Sequence, residues 1–137
     1  MKLRLDVPTA VLACTLLLFT MGHGHGCCTE ETAVLGPATG TTCPPSSTLT
    51  YASFGQAFME SYCTRCHSST LSGADRNGAT AFHDFDSRLG VLQVADHVDQ
   101  TAGSGPNATN ESMPPDGATP SLAEREMLAE WIACGVP

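Results

Sequence analysis

The chain has 137 residues, within the usual span of one domain, so a single compact unit with a targeting or tether segment is expected. Six Lys and Arg stand against 14 Asp and Glu, a formal net charge of −8, which argues against nucleic acid or anionic lipid as a partner.

Residues 1–26 have the layout of a secretory signal. Met1-Lys2-Leu3-Arg4 is basic, Val7 to Met21 is apolar except at Thr9, Cys14, Thr15 and Thr20, and Gly22, Gly24 and Gly26 follow. The apolar run falls short of the roughly 20 residues that a membrane-spanning helix needs, so cleavage is expected rather than spanning. An exported chain follows, in the periplasm or on the outer face of a bacterial membrane. Cys27, directly after Gly26, stands where bacterial lipoprotein signals carry their lipidated cysteine. Gly24 is not the aliphatic residue such signals prefer, so a membrane tether through Cys27 and plain cleavage both stay open. Removing 1–26 leaves Arg65, Arg76, Arg88 and Arg125 against thirteen acidic residues, a net charge of −9 with no lysine.

Residues 27–48 are rich in Thr, Gly, Pro and Ser without apolar periodicity and read as a linker or strap outside the packed core. From Ser53 to Cys66, the residues Phe54, Ala57, Phe58 and Tyr62 share one helical face, with Ser53 as N-cap. After a polar stretch from Ser68 to Ala81, Asp86 and Ser87 precede Val91, Val94, Ala95 and Val98, which predicts one middle helix. Thr101 to Pro120 reads as a loop ending in Met113-Pro114-Pro115-Asp116-Gly117. The last helix is marked by the capping box Ser121-Leu122-Ala123-Glu124, the apolar set Leu128, Trp131 and Ile132, and Gly135 as its stop. No alternating strand pattern occurs, so the expected class is all-α.

The chemistry lies in Cys63-Thr64-Arg65-Cys66-His67. Two thiols three positions apart at the end of a helix can each form a thioether to a porphyrin edge, while the adjacent imidazole meets the iron from below. A structural zinc site would need a second closely spaced pair, and His83, His97 and Cys134 are scattered. A redox dithiol would open a helix in a strand–helix–strand unit, whereas this pair closes one in an all-α pattern. Haem c, one per chain and covalently attached, is the cofactor expected.

Candidates for the sixth iron ligand are Met59, Met113, Met127, His83 and His97. Met59 lies four residues before Cys63 on the same helix, and core packing explains Met127. Met113 has no apolar periodicity to justify burial, and Pro114 and Pro115 stiffen its support, so position favours Met113. Ligation by His67 and Met113 favours ferrous iron and leaves no open position for substrate, which predicts electron transfer and not catalysis. The alternative is a haem-based peroxidase or a gas or redox sensor, with Met113 off the iron and His83 and His97 as distal groups.

From about Leu49 to Pro137 these features resemble the class I monohaem cytochromes c of bacterial respiratory chains. The resemblance implies three or more helices wrapped around one haem in a domain over 49–137. It implies a first helix crossing the last through residues like Gly55, Phe58 and Trp131, and an axial methionine on a late loop, like Met113. It also implies redox donor and acceptor proteins as partners; the acidic charge adds that their docking surfaces are basic. The lysine ring with which some members dock is absent, so partner identity does not carry over. Cysteines also occur beyond the attachment pair. In an exported chain whose terminal helices cross, a Cys43–Cys134 disulfide is expected, with Cys28 left over. Asn107-Ala108-Thr109 and Asn110-Glu111-Ser112 match glycosylation acceptors and are given no role.

Overall fold

A computed structural model describes residues 35–137. The expected signal segment, Cys27 and Cys28 lie outside the described residues. Helix is the only extended secondary structure among them, in agreement with the all-α expectation; strand-type pairing is confined to one isolated bridge between Ser104 and Thr109.

A π-helical turn, Tyr51–Gly55, runs directly into helix α1, Gln56–Tyr62. The expected N-cap Ser53 is instead the third residue of the turn. Thr50 caps it, accepting from the Ser53 N–H while the Ser53 hydroxyl takes the Thr50 N–H, a capping box the sequence reading missed. The π turn holds one residue more than an α turn, which rotates the following face. Met59 is therefore fully buried beside Phe58, and Ala57, expected inside, is exposed.

The middle helix is broken in two, α2 at Arg88–Gln93 and α3 at Ala95–Ala102. Ser87 caps α2, and the backbone leaves the helical region at Val94 (φ −132°, ψ 29°). The break keeps the period expected of a single helix only approximately: Val91 and Val98 are buried, while Val94 and Ala95 are half-buried. Helix α4, Leu122–Ala133, begins at the expected capping box, with Ser121 and Glu124 bonded reciprocally, and is followed by Gly135 at φ 84°. The Tyr62 hydroxyl donates to Glu124 at 2.9 Å, tying the end of α1 to the start of α4.

The Tyr51–Gly55 turn packs on α4 because Gly55 has no side chain. A Cβ there would stand 2.4 Å from Cζ2 of the fully buried Trp131, and Phe54 meets the same indole edge-on with ring centroids 6.0 Å apart. Phe58, Met59, Phe85, Val91, Val98, Leu128 and Trp131 form the core.

Residues 35–48 do not all lie outside the packed core, as the composition had suggested. Thr39 is buried, and its N–H and hydroxyl both donate to the Asp99 carboxylate of α3, at 2.9 and 2.7 Å. The Gly36 N–H donates to the Gln100 carbonyl, and the side chain of buried Asn110 donates to the Pro37 carbonyl. Hydrogen bonds give this stretch what its lack of apolar residues could not. Cys43 is joined to Cys134 by a disulfide, as expected, fastening the strap to the end of α4.

Candidate functional site

Helix α1 ends at Tyr62, and Cys63 to His67 form the tight turn that follows, with the Cys66 and His67 N–H groups both donating to the Cys63 carbonyl. Cys63 and Cys66 are free thiols and both are half-buried. Burial pushes the Cys63 thiol up to about 12, outweighing the opposing pull of the Arg125 charge.

The turn opens onto a cavity of about 270 Å³, just below the range for clefts that hold small ligands, roughly 300–1,000 Å³. Cys63, His67 and Met113 all line it, together with apolar side chains that include Phe58, Phe85 and Val98. Cys66 does not line it and sits one turn away. His83 and His97, the candidates for distal groups, are on the same cavity with ring centroids 5.5 Å apart. Met59 belongs to the core, whereas Met127 is 37% exposed, so core packing is not what accounts for Met127.

The His67 ring is fixed on two sides. Its Nδ1–H donates to the His83 carbonyl at 3.0 Å, and its face stacks on Phe85 at 4.6 Å with 17° between the planes. An imidazole with Nδ1–H committed to a carbonyl keeps the lone pair on Nε2, the tautomer a metal ligand needs. Burial holds the pKa of His67 below the ordinary imidazole value, so the ring is neutral near neutral pH. The residues that could hold a haem are Cys63, His67 with its tautomer fixed, and Met113, which share the apolar cavity, and Cys66, which stands off it at the far end of the turn. Among the described residues, no three or more His, Cys, Asp or Glu side chains gather as a ligand set for a bare metal ion.

Three arginines that the sequence reading counted only as charge organise the site. Arg76, just before Asn77, is buried and holds the loop that carries His83. Arg125 of α4 is buried, and its Nη1 donates to the carbonyls of Ala102, Asn110 and Met113. Arg65, inside the cysteine motif, pairs with Asp116 of the Met113–Gly117 turn, so the segments bearing His67 and Met113 are joined directly. A signal for Arg125 was present: it precedes Leu128, Ala129 and Ile132 by 3, 4 and 7 positions, on one helical face. Nothing comparable marked Arg76.

No family model matches the chain, and no curated protein and no solved structure matches it.

Proposed function

We propose that the protein is a c-type cytochrome, a one-electron carrier in which Cys63 and Cys66 hold one haem through thioethers and His67 and Met113 are the axial ligands. The observation that carries this reading is the convergence of Cys63, His67 and Met113 on one apolar cavity, with Nδ1 of His67 already committed to the His83 carbonyl. Each thiol adds its S–H across a vinyl group, so attachment needs neither an oxidant nor a leaving group.

When bound, the haem supplies the ferric/ferrous couple, which accepts and releases one electron. The chain's own residues do the rest. His67 and Met113 would hold the haem iron, with Phe85 stacked on the imidazole and fixing its plane, and Phe58 and Val98 would keep water from the interior of the cavity. The thioether of Met113 favours the ferrous state over what a second imidazole would give. A cleft open to solvent would leave an edge of a bound haem accessible for electron transfer to a partner. Arg76 and Arg125 are buried, which leaves Arg65, paired with Asp116, and Arg88 as the exposed basic side chains among the described residues; the carboxylates outnumber them, which suits partners with basic docking faces. Export, with or without a lipid tether at Cys27, fits both the charge and the disulfide.

A haem-based peroxidase or gas sensor is the second reading, favoured by His83 and His97 on the same cavity. Optical spectroscopy of the purified protein in both redox states separates the two. The electron-carrier reading expects a thioether-type pyridine haemochrome and a weak ferric sulfur-to-iron band that is lost in Met113→Ala. A wild-type protein with haem but without that band supports the second reading, and a band unchanged in Met113→Ala rejects Met113.

A further inference from the structure

Arg76 is 8% exposed, and each of the five N–H donors of its guanidinium has an acceptor. Nε donates to the Ala79 carbonyl at 3.2 Å, and Nη1 to the Ser68 carbonyl and to Asp84 Oδ1, both at 2.8 Å. Nη2 donates to the Thr80 carbonyl at 2.9 Å and to the His83 carbonyl at 3.3 Å. The segment from Ser68 to Asp84 is thus wound around one cation. The His83 carbonyl is also the acceptor for Nδ1–H of His67 at 3.0 Å, so the guanidinium and the imidazole share a single oxygen.

We propose that Arg76 is a positioning residue that acts through His67 to hold the reduction potential of the bound haem up. The inference rests on the haem reading above. A carbonyl that accepts from a guanidinium has less electron density to offer the imidazole N–H, so His67 is a weaker donor to the iron than it would be with that carbonyl to itself. The cation also lies within two hydrogen-bond lengths of Nδ1, in a buried setting where charge interactions are strong, and it opposes the extra positive charge of the ferric state. Both effects favour ferrous iron. Asp84, the ion-pair partner of Arg76, works against them.

The test is potentiometric titration of the haem-loaded protein and two variants, with thermal unfolding measured alongside. Arg76→Gln is expected to shift the ferric/ferrous equilibrium about tenfold toward ferric, a midpoint lower by about 59 mV for one electron. Asp84→Asn, which leaves the cation uncompensated, is expected to raise the midpoint. A purely structural Arg76 would lower the unfolding temperature in both variants and move neither midpoint, or move both in the same direction, and either result overturns the proposal. If Arg76→Gln does not fold, Asp84→Asn alone decides by the sign of its shift. A wild-type protein without covalent haem overturns this inference together with the reading beneath it, whereas haem present with midpoints unmoved overturns this inference alone.

Discussion

Nη1 of Arg125, a residue only 3% exposed, donates to the Met113 carbonyl at 3.1 Å. The Met113 N–H donates to the Thr101 carbonyl at 3.0 Å, so both backbone polar groups of this residue are held by neighbouring structure. Replacing Arg125 by Met strands the carbonyls of Ala102, Asn110 and Met113 at once. At roughly 1–3 kcal/mol for each buried group left without a partner, partly relieved by water, we expect a loss of about 3 kcal/mol in denaturant unfolding. On the haem reading, the ferric sulfur-to-iron band also weakens, because Met113 loses its anchor.

Gly55 tolerates no Cβ without displacing Trp131, whose Cζ2 would stand 2.4 Å away and whose Cη2 2.5 Å away. The indole is fully buried and cannot retreat into solvent. Gly55→Ala is therefore expected to destabilise the fold by about 1–3 kcal/mol, the usual cost of overpacking. Thermal unfolding should show it as a fall of at least about 4 °C.

The disulfide between Cys43 and Cys134 closes a loop across a sequence separation of 91. Constraint of the unfolded chain over a loop of that length is worth roughly 4–5 kcal/mol in the chain-entropy account. A Cys43→Ala, Cys134→Ala double variant should lose stability on this scale in denaturant unfolding. Its strap should also become more sensitive to proteolysis than the helices it covers.

Asp86 accepts three hydrogen bonds through Oδ2, from the Ser69 N–H and hydroxyl and from the Ser68 hydroxyl, directly after His67. The Ser69 hydroxyl, first among these, holds the carboxyl below its ordinary value. A carboxyl depressed in the folded state contributes stability that is complete above the unfolded value and is lost as pH falls toward the folded one. Acid titration of stability should therefore show a loss setting in below about pH 4. Asp86→Asn should be less stable near neutral pH and should lack this component of the acid limb.

Much of the fold was legible where local signals act alone. The box at Ser121 and Glu124 and the stop at Gly135 need only backbone geometry and near neighbours, and α4 lies where they place it. The start of the first helix was misread because Thr50 and Ser53 together satisfy the N–H groups that Ser53 alone was expected to cap, and because the π turn that admits Trp131 beside Gly55 breaks the 3.6-residue period. Helix breakage at Val94 carried no Gly or Pro mark. At the site, Cys63, Cys66 and His67 stood out because their chemistry depends on spacing along the chain, and Met113 because it lies in a polar loop without apolar periodicity. Arg76 and Arg125 did not stand out as site residues, since what they hold are backbone carbonyls brought together only by the folded chain.

The proposed attachment of haem to Cys63 and Cys66 is tested most directly by intact and peptide mass spectrometry of protein purified from a host that attaches haem to exported chains. The account predicts one haem mass per chain, retained after denaturation in acid and localised to a peptide containing both Cys63 and Cys66. Haem-free protein from such a host, with both cysteines recovered as alkylatable thiols, would contradict it.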